Sequence, residues 1–186
     1  MQNNFERGFG GWYVYRDFYG NTTQVETTLV PRKSNFYLGV GLGLNFEGNY
    51  QLRLTDKSLS TNGKYTLFLA KKTTTLVTLK KVEVDPAQYQ LELGKPFILK
   101  MEYVQGKLKG YLGGELLLTY DDSQSKQCFS IGWSGVWIHP ERAAVIEDFH
   151  CAGVEQEPPG TNEKQKTDRC YDMCLSDTDE DGRLKC

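Results

Sequence analysis

The 186-residue chain has little of what most enzyme chemistry needs. It has two histidines, His139 and His150, and no serine in a G-x-S-x-G elbow. It has no phosphate loop and no dinucleotide fingerprint. No apolar run approaches the roughly 20 residues of a membrane-spanning helix, and MQNNFERGF carries no signal-peptide core. Neither sign of charge is in excess. Twenty-two Lys and Arg against 24 Asp and Glu leave a net charge of −2, without the basic surplus of a nucleic-acid surface. No stretch sustains a helical period with caps.

What the chain does have is glycine, tyrosine and phenylalanine: 19 Gly, 11 Tyr and 9 Phe, the composition of strands joined by tight turns. In Lys95–Asp122, Phe97, Leu99, Met101 and Tyr103 share one face, and Leu108, Gly110 and Leu112 follow suit. Leu116, Leu118 and Tyr120 are expected on one face of the third run and Leu117 and Thr119 on the other. Gln105-Gly106 and Gly113-Gly114 stand where two-residue hairpin turns need positive φ. This predicts an antiparallel meander with one face on a core.

Further strands are expected near residues 11–18, over 23–30, 35–46, 49–55, 65–70 and 74–84, at 88–93, and over 127–133 and 144–151. Thr61-Asn62-Gly63-Lys64 carries a hairpin turn between two of them. Ser134–Arg142 reads as a loop. Gly39, Gly41 and Gly43 share one face of their strand, which predicts a close approach by a large side chain, a backbone or a ligand. Asn21-Thr22-Thr23 is an N-glycosylation sequon, expected in a turn.

Residues 1–153 thus read as one all-β domain. From residue 154 to 169 the composition becomes that of a linker, and 170–186 form a small acidic, Cys-rich element. Three of the five cysteines, Cys170, Cys174 and Cys186, lie there. A segment without a core is usually held by disulfides or metals, which predicts an oxidising, extracellular setting. The missing signal core and the odd cysteine count fit a piece of a longer secreted protein, with neighbouring domains among its partners.

The succession NYQLRL, YTLFLA, the meander, SIGWSG and VIEDFHCAG resembles the concanavalin A-like jelly roll. Within that superfamily it is most similar to the laminin-G-like and 3-keto-disaccharide hydrolase-like branches. Gly106, Gly113-Gly114, Leu117-Leu118, Asp121-Asp122, Gly132, Gly135 and Asp148-Phe149 carry the likeness over about 110 residues. It implies an antiparallel jelly-roll β-sandwich and speaks weakly to function. In that strand order Cys128 and Cys151 lie on neighbouring strands, and either a disulfide joins them or both are buried thiols. Asp177, Asp179 and Asp181, before Gly182, match the start of a calcium loop and resemble part of a thrombospondin type 3 repeat. The alternative for them is a solvated acidic tail.

A laminarinase-type glucanase needs E-x-D-x-x-E on one strand face. The nearest match, Glu83 to Gln88, ends on Gln and is broken by Pro86. Glu147 and Asp148 are adjacent, so a regular strand points them to opposite faces, as it does His150 and Cys151. Sugars stack their C–H faces on aromatic rings. Trp137 in its loop, with His139 and Arg142, is therefore the first candidate for a ligand site. Tyr111, beside Lys107 and Lys109 on the outer face of the meander, is the second, and Trp133 reads as core. The expected function is an extracellular, non-catalytic module for glycan or a glycosylated partner. The alternatives are a structural protein–protein interaction domain and a glycosidase-like hydrolase.

Overall fold

The computed structural model describes residues 5–7, 11–33, 37–45, 47–55, 64–139 and 143–157; of residues 5–7 and 16 only the backbone is described. The described residues form eleven strands. They are β1 (Phe5–Arg7), β2 (Trp12–Pro31), β3 (Tyr37–Leu44), β4 (Asn49–Thr55), β5 (Tyr65–Lys72) and β6 (Leu76–Val84). After them come β7 (Phe97–Val104), β8 (Lys107–Leu112), β9 (Glu115–Asp121), β10 (Ile131–Ile138) and β11 (Ala144–Glu155). All pairings are antiparallel, in the order β6-β5-β4-β3-β10-β2-β7-β8-β9, with β1 and β11 on the other edge of β2.

The 20-residue β2 belongs to both halves of the sandwich. Its first half pairs with β10 as far as Asn21, and its second half pairs with β7 from Gln24 to Leu29. One strand therefore carries the sheet round from the β6-to-β10 leaf to the β7-to-β9 leaf.

The core lies between the leaves. Tyr50, Leu52 and Leu54 of β4 and Leu67 and Leu69 of β5 face Leu99, Met101, Tyr103, Leu108 and Leu112. Tyr50 and Tyr103 stack across the interface with ring centroids 5.2 Å apart. A Cβ on Gly110 would stand 2.7 Å from Leu52 Cδ1, so the glycine lets the leaves close. Full burial of each such leucine contributes about 1.5–3 kcal/mol.

The meander forms as its alternation requires. Gln105 and Gly106 take φ of 50° and 76°, and Gly113 and Gly114 take 59° and 85°, as tight primed hairpin turns require. A bulge between Gly110 and Tyr111 shifts the third run. Leu118 is buried and Leu117 packs against the core, while Leu116 is exposed. The expected alternation holds for Leu118, Thr119 and Tyr120 and fails at Leu116 and Leu117 for that reason.

Four other expectations change. The runs at 11–18 and 23–30 form one strand, because Asn21 is paired on both edges, to Ile131 of β10 and Val154 of β11. Asn21 therefore lies within a strand and is buried, where a turn was expected. No strand forms at 88–93; that stretch is a set of turns with Gln90 at a φ of 51° and Leu91 packed into the core. Strand β10 begins at Ile131 rather than 127 and continues through Trp137, where a loop was expected. Strand β11 runs on to Glu155.

The Asn-Gly turn at Thr61–Gly63 lies outside the described residues, but the strands it joins pair as expected, Thr55 opposite Thr66. Among the described residues no helix is long and apolar enough to cross a membrane.

Candidate functional site

The expected platform on Trp137 is a packed cluster. Trp137 lies inside β10 and is 6% exposed. Its register partner is Gly39, and Gly39 in turn opposes Arg53. Without a side chain at Gly39, Arg53 crosses the strand, its Cγ 2.9 Å from where a Cβ would sit, and lays its guanidinium 3.8 Å from the Trp137 ring centre. Arg53 Nη1 donates to Tyr37 Oη at 3.0 Å. Burial lowers the Arg53 pKa, opposed by Tyr37. Gly41 is covered by Trp12, whose ring would meet a Cβ there at 2.4 Å. The glycine face of β3 is thus approached by large side chains.

His139, half-buried, stacks on Tyr37 with centroids 5.8 Å apart and stands edge-on to Trp137. Arg142 lies outside the described residues, as do Asp177, Asp179 and Asp181. Trp133 packs edge-on against Tyr19 at 4.7 Å. Tyr111 is half-buried and donates to Glu102 at 2.7 Å, with the Lys100 ammonium 5.0 Å from its ring centre. Cys151 is a free thiol, so the Cys128–Cys151 bridge does not form. Cys128 is buried in the core cluster and disulfide-bonded, and Cys151, opposite Val25 on β11, is half-buried against the same cluster.

That edge holds an open cleft of about 480 Å³, lined by Tyr15, Asp17, Phe18, Glu147, Asp148, Phe149, His150 and Cys151. Two bulges build it. The β2–β10 register jumps from Tyr19 opposite Trp133 to Tyr15 opposite Ser134, which puts residues 16–18 outside the ladder. The β11–β2 register jumps between Ile146 and Asp148, which leaves Glu147 unpaired. A bulge re-aims neighbouring side chains. Asp17 and Phe18, and likewise Glu147 and Asp148, therefore line one cleft although each pair is adjacent in sequence.

The walls are aromatic and the rim is acidic. Tyr15 meets Phe149 with centroids 5.1 Å apart. Asp17, Glu147 and Asp148 are exposed carboxylates. Asp148 Oδ2 lies 2.9 Å from His150 Nε2, and its Oδ1 accepts from the Phe149 amide. Burial and then the Asp17 charge push the Cys151 thiol up to about 11. Burial, Asp17 and Cys151 also raise the Tyr15 phenol. Cys151 is therefore a protonated thiol at neutral pH, and a poor nucleophile. No group of three or more His, Cys, Asp or Glu side chains among the described residues has metal-binding geometry.

Tyr15, Asp17 and Phe18 were not among the sequence candidates. Their only signal in the sequence is a polar-aromatic run, and the bulges that bring them to β11 leave no mark on it.

No family model matches the sequence, and no curated protein matches it. Solved structures do. A carbohydrate-binding module from Bacillus subtilis, CBM66, superposes with a TM-score of 0.56 at 15% identity, over 82% of this chain and 92% of that one. Sheep galectin-11, in a complex with glycerol, gives 0.53 at 10% identity, over 78% and 100%. Xenopus laevis galectin-Ib gives 0.51 at 13%, over 72% and 97%. At these identities the likeness is one of fold alone, an antiparallel jelly-roll β-sandwich.

Proposed function

We propose that this chain is a non-catalytic glycan-binding module, extracellular and part of a longer protein, with its ligand in the edge cleft. The observation that carries the site is the meeting of aromatic walls with exposed carboxylates in one open cavity. Tyr15 and Phe18 offer ring surface to the C–H faces of a sugar, with the buried Phe149 packed behind Tyr15, and Asp17, Glu147 and Asp148 accept from its hydroxyls. Its volume of about 480 Å³ falls within the ~300–1,000 Å³ of small-molecule sites. The neighbours named as carbohydrate-binding module and galectins support binding rather than turnover. Calcium enters this reading only through the acidic tail at Asp177, Asp179 and Asp181.

A glycan array, read with and without calcium, tests the reading. Defined hits that are lost in Tyr15→Ala, a variant that keeps its fold by circular dichroism, are the expected result. A blank array sinks the proposal in favour of a structural interaction domain. Release of product from a bound glycan would make the chain a hydrolase instead.

A further inference from the structure

We infer that the acidic, Cys-rich element at 170–186 is stapled to the sandwich by a disulfide from Cys128. Cys128 is disulfide-bonded, and Cys151, the other cysteine among the described residues, is a free thiol. The chain has five cysteines, so the partner is Cys170, Cys174 or Cys186. The two that remain form a second bond within the element. Cys151 is then the odd thiol, half-buried and slow to react with its pKa near 11. The staple is independent of which ligand the sandwich takes.

The topology brings the end of the sandwich chain to this cysteine. Asn21 of β2 is paired with Ile131 of β10 on one side and with Val154 of β11 on the other. Two strand spacings, about 10 Å, therefore separate Ile131 from Val154. Cys128 lies three residues before Ile131, and the carbonyl of Ser130 accepts from the Thr22 amide at 2.9 Å. The chain thus leaves β11 at the end of the sandwich where Cys128 sits. The 13 residues from 158 to 170 span up to about 43 Å when extended, at ~3.3 Å each, so the tail cysteines are within reach.

The anchor itself is fixed. Lys71 Nζ donates to the Gln127 carbonyl beside it, and Phe129 packs edge-on against Tyr50 with centroids 5.8 Å apart. Each S–S bond forms as two thiols give up two protons and two electrons to a small disulfide oxidant such as oxidised glutathione, which leaves as two thiols. In an oxidising compartment the element is held at this end of the sandwich, and in a reducing one it is let go.

The test is peptide mapping of the full chain, with free thiols first blocked by N-ethylmaleimide in denaturant. Trypsin without reductant should yield the 127–142 peptide joined to a peptide from 170–186, and dithiothreitol should part them. The intact, unreduced protein should carry one maleimide, on Cys151. Limited cutting of the native protein at Lys164, Lys166 or Arg169 should leave the element attached on a non-reducing gel, and reductant should shed it. Cys128 recovered as a blocked thiol, joined to Cys151, or joined to a second copy of the chain overturns the staple. Loss of the element before reduction overturns it as well. Three maleimides with the Cys128 link in place overturn only the bond within the element.

Discussion

The guanidinium of Arg53 lies 3.8 Å from the centre of the Trp137 ring, across the bare backbone of Gly39. Two side chains two strands apart meet because the strand between them carries none. This contact turns the outer side of the β3–β4–β10 sheet into a second packed layer, and β4 is buried on both faces as a result. Trp137→Ala should therefore act on stability. The expected loss is about 3–5 kcal/mol, in the range for removing a buried tryptophan, read as a lowered urea midpoint. Array hits should persist in whatever fraction remains folded. A variant with an unchanged midpoint and lost hits would return Trp137 to the binding surface.

Beneath the β9–β10 connection, Asp122 joins two leaves. It accepts from the Tyr50 hydroxyl and from Lys71 Nζ, the latter at 2.7 Å, with side-chain exposures of 12% for Lys71 and 9% for Asp122. Lys71 also donates to Ser125 and to the Gln127 carbonyl. Asp122→Ala should cost about 3–5 kcal/mol, because it strands a buried ammonium and a buried phenol. The double variant Asp122→Ala with Lys71→Met should recover part of that loss. Equal destabilisation by the single and double changes would show that the ammonium is not the cause.

Glu102 ties the outer face of the meander. Burial alone would raise its pKa, but hydrogen bonds from Lys100 and Tyr111 and the charges of Lys100 and Lys109 bring it below the ordinary carboxylate value. A depressed folded pKa contributes stability above the unfolded value of about 4.3, and that contribution is lost as pH falls through the folded value. The Tyr111 phenol, pushed up to about 12 by burial and by Glu102, stays a donor throughout this range. Glu102→Gln should cost about 0.5–1 kcal/mol at pH 7, a small figure because the lysines are partly screened, and nothing near pH 2–3. A gap between the two denaturation curves that persists at pH 2 would assign the effect to packing.

Cys151 offers a chemical probe of the cleft. With its pKa near 11, set by burial and then by Asp17, alkylation by iodoacetamide should be slow at pH 7.5. The rate should rise about tenfold per pH unit toward pH 10, since only the thiolate attacks. Asp17→Asn should speed the reaction at fixed pH. Peptide mapping should find no Cys128–Cys151 crosslink, and recovering one would refute the free thiol.

The meander shows how far local pattern reaches. Alternation at Phe97–Tyr103 and the residues of the two turns already imply three strands and their register, because period-2 burial and positive φ are local demands. Even there, the bulge at Gly110–Tyr111 moved Leu116 to the outside. Trp137 shows where local pattern stops. S-G-V-W reads as a loop by composition, yet pairing to Gly39 and Gly41 on one side and to Trp12 and Tyr13 on the other makes it strand.

The all-β class and the meander were thus determined by the sequence itself, since apolar alternation and turn residues act between near neighbours, while the jelly-roll order was expected only from the resemblance. The cleft was decided by tertiary structure alone. Its two walls lie some 130 positions apart, on Asp17 and Asp148, and meet because β2 pairs with β11 along the edge of the sandwich, where two bulges interrupt the ladders. A bulge is the outcome of strands competing for register against the whole sheet, and no stretch of residues read by itself contains that competition.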